Sequence, residues 1–300
     1  SCNTGIQSLK PDTSALGDTV TIQNGALKAV FVTNQAFGSE HKAGYNGIAR
    51  LYHVQQDLSP FVRFYAGFNL EHIFGGDSLH QLFEPRRHPM SLHRKSQTEV
   101  SLYQAPTPLS KVESLTTFKL TDTHCIDVVF ECIFHDAAFF KHDYAGLFWA
   151  SYIQKPRDKK IYFLGTENGD SDIQWIAAYS DKHGEQSTHL GKSDPGEIYF
   201  APNFNASLAS RFSNYKYEYP FYYGRFHNML LAYFFDSNEI IRFSQSPTGG
   251  GRDNPAWDFQ YIIPDMKTGK KYSFKARILY KPFEHSEDVL SEYLRWKKGL

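Results

Sequence analysis

Residues 217–236 read YEYPFYYGRFHNMLLAYFFD, with Tyr223, Arg225 and His227 at alternate positions ahead of an apolar run from Met229 to Phe235. If the segment is one strand, these three side chains share a face and stand about 7 Å apart. Their chemistry is complementary. An imidazole exchanges protons near neutral pH, and a phenol can donate or accept one. A guanidinium can hold a carboxylate through two parallel hydrogen bonds or stabilise a developing oxyanion. β-Elimination from a uronic acid needs all three: the carboxylate neutralised, the C5 proton removed and the leaving oxygen protonated. The competing reading is a solvated sheet face carrying amphipathic residues.

A second cluster lies in NLEHIFGGD, with Asn69, Glu71, His72 and Asp77. Glu71 and His72 are candidate acid–base groups, or charges on the outer face of a strand. A third is FEPRRHPMSLHR, which gathers Glu84, Arg86, Arg87, His88, His93 and Arg94. Its cations, Arg86, Arg87 and His88 above all, suit an anionic ligand such as a uronate or a sulfated sugar. They also suit a solvated loop with local ion pairs. Trp149 in GLFWASYI and Trp257 in NPAWDF are candidate platforms for a sugar face, with core packing as the alternative.

Other chemistries find less support. The 13 histidines form no H-E-x-x-H, and three cysteines are too few for structural zinc. His135-Asp136 and His142-Asp143 are adjacent pairs without a metal spacing. The expectation is no cofactor, with calcium held by scattered oxygens left open. The three glycines at 249–251 lack the Lys-Ser/Thr of a phosphate loop, and no G-x-S-x-G is present. With 32 basic and 32 acidic residues the net charge is zero, which argues against a nucleic-acid footprint. No apolar run of membrane-spanning length occurs.

The elements that must position these residues are strands. After a polar start, TVTIQNGALKAVFV pairs two short strands around Asn24-Gly25, a hairpin signal. Short segments bounded by Gly, Pro, Asp or Asn then follow to KYSFKARILYKPF. FVRFYAGFNLEHIF reads as one strand, with Tyr65, Asn69 and Glu71 on one face and Phe64, Phe68, Leu70 and His72 on the other. EIYFAP reads as a strand too. Residues 75–97 and 201–220 read as long loops. The high aromatic content, 25 Phe and 19 Tyr, fits a large β core. Only the end looks helical: residues 287–298, with Ser286 as N-cap, acids in the first turn and Arg295, Lys297 and Lys298 in the last. Cys125 and Cys132 stand seven apart in CIDVVFECIF, on opposite faces of one strand about 23 Å apart, so they cannot bridge.

The fold class is therefore all-β, a large antiparallel β-sandwich with one C-terminal helix. Residues 1–18 read as a flexible segment and 19–300 as a single domain. The early VTIQNGALKAVFV hairpin, the many strands and the closing NPAWDFQYIIPD…YSFKARILYKPF with its helix resemble the galactose-mutarotase-like β-supersandwich. That resemblance covers most of the chain and is architectural. It implies sugar chemistry of the kind performed by epimerases, polysaccharide lyases and glycosidases, and carries over no catalytic residue. Cys2 ahead of a polar stretch resembles the start of a mature bacterial lipoprotein, which implies a lipid anchor and a secreted, periplasmic or surface location.

The resulting expectation is an extracytoplasmic carbohydrate-active enzyme using acid–base chemistry on a sugar or uronate, as a lyase, hydrolase or epimerase. Its rival is a non-catalytic glycan-binding lipoprotein with aromatic platforms. Proximity discriminates them, because only an enzyme needs titrating groups gathered in one cleft.

Overall fold

The computed structural model describes residues 5–77, 83–121, 123–204 and 206–300; Cys2 lies outside them. Three strands form a small antiparallel sheet: β1 (Thr19–Asn24), β2 (Leu27–Val32) and β3 (Gly47–His53). Gly25 opens the β1–β2 turn with φ +54°, a conformation that glycine adopts without steric cost.

The remaining strands belong to one large sheet. They are β4 (Asn69–Phe74), β5 (Ser91–Arg94), β6 (Glu99–Gln104), β7 (Val112–Leu120), β8 (Cys125–Phe134), β9 (Tyr144–Ala150) and β10 (Ile161–Glu167). Then come β11 (Gln174–Ala178), β12 (Thr188–Gly191), β13 (Phe212–Tyr217), β14 (Phe221–Phe226), β15 (Met229–Phe235), β16 (Ile240–Ser246), β17 (Ala256–Pro264) and β18 (Lys271–Pro282). The order across it is β4-β9-β17-β16-β12-β13-β10-β14-β15-β18-β8-β7-β6-β5, with β11 on β10. Pairing is antiparallel except between β12 and β13. Helices α1 (Glu84–Arg87) and α2 (Ser207–Ser210) are single turns, and α3 (Ser286–Lys298) closes the chain.

A sheet this wide cannot stay flat. Phe130 of β8 meets Trp149 of β9 at 4.8 Å between ring centroids, and Trp149 meets Phe274 of β18 at 5.3 Å. These strands are far apart in the hydrogen-bonded order, so the sheet folds back and its two halves enclose one aromatic core. Phe31 of β2 joins that core against Phe118 of β7. The expected all-β sandwich with a C-terminal helix is what forms. Cys125 and Cys132 are free, buried and on opposite faces of β8, as their parity requires.

Several local readings need correction. FVRFYAGFNLEHIF is not one strand: Phe64 and Phe68 adopt φ +79° and +52°, and regular pairing starts at Asn69. EIYFAP is irregular, whereas the 201–220 loop contains α2 and strand β13. The cap of α3 is His285, whose N–H donates to Asp288 Oδ2 at 3.3 Å. Ser286 is turned toward Tyr223 instead, at 2.6 Å. The early segment is tied to the sheet. Ser8 Oγ and Leu9 N–H both donate to Glu113, and Leu16 N–H donates to Leu92.

Candidate active site

The first strand of the large sheet carries the deciding irregularity. Against β9, Leu70 sits opposite Trp149 and His72 sits opposite Phe148, so Glu71 is an extra residue in the ladder. Leu70 and Ile73 enter the central core and Phe74 a second cluster, while Glu71 and His72 both line one cavity. Plain alternation would have put them on opposite faces. The β-bulge re-aims one of them.

The cavity has a volume of about 280 Å³. β4, β9 and β17 form its floor, with Phe74, Phe148, Ala150 and Asp258. Tyr152 follows β9, Arg86 comes from α1 and Tyr45 precedes β3. Ser207, Leu208 and Ala209 of α2 cover it, with His183 on the rim. On β17, period-two alternation sends Trp257, Phe259 and Tyr261 into the core and Asp258 to the cavity.

Glu71 is the hub. Its Oε1 lies 2.6 Å from His72 Nε2. Its Oε2 accepts a hydrogen bond from the Tyr152 hydroxyl, with Arg86 Nη1 at 3.8 Å. The Arg86 guanidinium stacks 4.1 Å from the Tyr45 ring centroid and donates through Nε to the Gly44 carbonyl at 2.8 Å. Gly44 has φ +88° and lies so close to Arg86 that a Cβ there would crowd it. The His72 ring sits between Phe83 and Phe148.

Protonation follows from these contacts. Burial alone would raise the Glu71 carboxyl. His72 beside it, hydrogen bonds from His72 and Tyr152, and the Arg86 charge outweigh burial and hold it below the ordinary carboxylate range. Asp258 is driven the other way. Burial and the negative charge of Glu71 push it well above that range, against one backbone hydrogen bond from Ser151. Burial, then Glu71, keeps the Tyr152 phenol protonated. The cavity thus sets two carboxyls in opposed environments, Glu71 in one that favours the ionised form and Asp258 in one that favours the neutral form. Asp258 Oδ2 and His72 Nδ1 are buried with no hydrogen-bond partner among the described residues, and ligand hydroxyls could satisfy both. Among the described residues no group of three or more His, Cys, Asp or Glu side chains could hold a metal ion.

A second cavity, against α3, contains acids that are already satisfied. Asp194 takes both arms of the Arg242 fork, Glu218 pairs with Lys192, and Glu239 accepts from Tyr261. Of its lining side chains the Tyr293 hydroxyl is buried without a hydrogen-bond partner among the described residues.

No protein-family model matches the chain, and no curated protein matches it in sequence. Solved structures do match. A putative aldose 1-epimerase from Escherichia coli K12 aligns over 88% of this chain and 99% of its own, with TM-score 0.51 and 8% identity. The GalM/aldose epimerase homologue from C. elegans aligns over 89% and 99%, again at 0.51 and 8%. The fold is that of the galactose-mutarotase-like β-supersandwich. At such identity the likeness is one of fold alone, so the chemistry rests on this chain's own residues.

Within the supersandwich, the expected site residues separate into groups. Glu71, His72 and Arg86 line the cavity together. Arg87 and His88 line an open groove next to it, which shares Phe83 and Arg86 as a common wall. Trp149 and Trp257 are each 1% exposed and packed in the core, so neither can present a ring to a sugar. Tyr223, Arg225 and His227 do not share a strand face. His227 and Asn228 are the turn between β14 and β15, and His227 borders a different groove, with Arg50 and Asp57. Tyr223 and Arg225 face α3 and the chain leading into it. The Tyr223 hydroxyl meets Ser286, and the Arg225 guanidinium stacks 3.8 Å from the Phe283 ring centroid. None of the three lines the cavity around Glu71.

Of the third sequence cluster, Glu84 is buried and accepts from Leu109 N–H, Ser110 N–H and Ser110 Oγ. His93 is buried against Thr13 and Ser91. Asn69 is buried and donates to Asn46, and Asp77 pairs with His142 at 2.6 Å. The sequence reading missed Tyr45, Tyr152, His183 and Asp258. Asp258 had a signal: an acid alternating with Trp257, Phe259 and Tyr261 cannot point into the same core.

Proposed function

We propose that this chain is a carbohydrate-active enzyme performing acid–base chemistry on a sugar or uronate, with Glu71 as base and Asp258 as acid. The observation that carries the proposal is a pair of buried carboxyls lining one cavity, Glu71 held by His72, Tyr152 and Arg86 and Asp258 with one oxygen unpaired, whose opposed environments suit them to the two halves of a proton exchange. The Glu71 carboxylate takes a proton from the bound sugar, and the Asp258 carboxylic acid gives one to an oxygen of the same sugar. Tyr152, His72 and Arg86 hold the Glu71 carboxylate and fix its charge. Phe148 supplies apolar surface for the ring.

The simplest reaction using both groups is anomer interconversion. Glu71 deprotonates the anomeric hydroxyl while Asp258 protonates the ring oxygen, the C–O ring bond opens to a carbonyl, and closure from the other face returns both protons. The aldose epimerases that share the fold support this reading. Elimination from a uronate and glycoside hydrolysis use the same pair differently. A glycan panel distinguishes the three, by exchange between anomer signals in NMR, by absorbance of an unsaturated product, or by new reducing ends. The expected result is one of these activities in the wild type and its loss in Glu71→Gln. Binding without turnover on every member would reduce the protein to a glycan-binding module.

A further inference from the structure

His53, at the end of β3, and His124, in the turn between β7 and β8, meet ring to ring where the small sheet joins the large one. His53 is buried, and the two ring centroids lie 5.1 Å apart. His53 Nε2 and His124 Nδ1 are 2.9 Å apart, a hydrogen bond that needs one proton between them. The backbone assigns that proton. Gln55 N–H donates to His53 Nδ1 at 3.0 Å, so the neutral ring carries its hydrogen on Nε2 and donates it to His124 Nδ1. In each ring the lone pair able to take a further proton is then already an acceptor.

Protonation of either ring sets N–H against N–H, at His53 against Gln55 and at His124 against His53. The surroundings oppose it too. Burial, then the partner ring, lowers the His53 imidazole; burial, then the Lys281 charge, lowers His124 against a smaller pull from Glu292. Lys281 of β18 and Glu292 of α3 are themselves 3.7 Å apart. Tyr280 of β18 stands edge-on to His53 at 6.3 Å, and burial keeps its phenol protonated. The same corner carries backbone ties between the sheets. Ala26 N–H donates to the Thr123 carbonyl at 3.3 Å, Val54 N–H to Ala26 at 3.0 Å, and Tyr280 N–H to His124 at 2.9 Å.

We propose that His53 and His124 form an acid-sensitive latch: when neutral, the pair pins the turn after β3 to the β7–β8 turn, and proton uptake releases that corner of the small sheet. The latch stands apart from the catalytic reading, because neither ring lines the cavity of Glu71. Its sign follows from linkage. Both imidazoles titrate lower in the closed state, so the latch contributes in full above the ordinary histidine value and is lost as pH falls through the lowered values. Between those limits each pH unit weakens closure about tenfold per ring.

The test uses the full chain and reads two quantities. NMR follows the titration of each imidazole, and hydrogen exchange, corrected for its intrinsic pH dependence, follows the Ala26 and Val54 amides. In the wild type both rings should titrate below the ordinary histidine value. Protection of both amides should fall about tenfold or more between about pH 7.5 and about pH 5. The double variant His53→Gln with His124→Asn places an amide N–H near the former Nε2 and an oxygen near the former Nδ1, so the contact persists without a titrating group. Its protection at Ala26 and Val54 should be the same at both pH values. Titration of either ring at or above the ordinary value, unchanged protection in the wild type, or an equal fall in the double variant would overturn the inference. The wild-type titration and exchange need no variant, so the latch stays open to refutation even if the double variant does not fold.

Discussion

The cavity wall of β4, β9 and β17 and the α3-facing side of β14 are both polar patches on buried sheet, and they differ in what lies over them. On β14, α3 and the chain leading into it close the surface: Tyr223 meets Ser286, and Arg225 lies flat on Phe283. Over the cavity wall α2 leaves an open space, and the unpaired polar atoms of Asp258 and His72 belong to residues that line it, whereas the unpaired Arg225 Nε lies beneath Phe283. A period-two pattern tells which residues share a face. It does not tell whether that face will be covered, and covering turns the same residue types from reagents into mortar.

Substitution at the hub should have the largest effect. Glu71→Gln keeps the shape and removes the base, so turnover on whichever glycan the panel identifies should drop by about 10²–10⁴-fold. Arg225→Ala should leave that turnover near wild type. It strips a cation from the Phe283 ring and should lower stability by about 1 kcal/mol, read from a denaturant midpoint. The opposite outcome, activity lost with Arg225 and kept with Glu71→Gln, would exchange the roles of the two faces.

Asp258→Asn separates function from stability. Activity should fall by about 10²-fold or more, because the amide cannot give up a proton as a carboxylic acid does. Stability should change the other way, and its sign follows from linkage. The Asp258 carboxyl titrates higher folded than unfolded. Its contribution is full below the ordinary carboxylate pKa and is lost as pH rises through the raised folded value. Asparagine can still accept from Ser151 N–H and removes that loss. Melting temperatures of the variant should therefore exceed wild type increasingly toward alkaline pH. Wild-type activity should follow a bell, with its acid limb at protonation of Glu71, below the ordinary carboxylate range, and its alkaline limb at ionisation of Asp258. A variant that melts below wild type at every pH would mean that Asp258 is ionised and structurally paired.

Much of the fold was legible in the sequence because its signals are local. The Asn24-Gly25 hairpin, the alternation in CIDVVFECIF and the acidic-to-basic charge order of α3 each need only neighbouring residues. Three residues of the candidate site, Glu71, His72 and Arg86, were legible as residue types. Their convergence was not, because it depends on the bulge at Glu71. A bulge is one unpaired residue in a ladder, and its register is set by β9, more than 70 positions away. Asp258 was overlooked beside Trp257 because the aromatic side chain drew the functional reading, whereas alternation sends that side chain to the core. The break at His227 was hidden by strand formers on both sides.

That break supplies the smallest and most specific prediction. His227 holds φ +51° at the first central position of the β14–β15 turn. Side chains with a Cβ are strained there, and two-residue hairpins commonly place glycine at such a position. Glycine also frees the unfolded chain, which offsets part of the relief. The balance for His227→Gly should be a gain of a few tenths of a kcal/mol, up to about 1 kcal/mol, seen as a slightly higher melting temperature. Turnover should stay at the wild-type level, because the imidazole borders the groove of Arg50 and Asp57 and not the cavity of Glu71. A His227→Gly variant that melts higher and yet loses turnover would show a fold with its turn intact and its imidazole missing from the chemistry. The second groove would then have to be joined to the reaction, and the contrast between the two faces of the sheet would fail at this point.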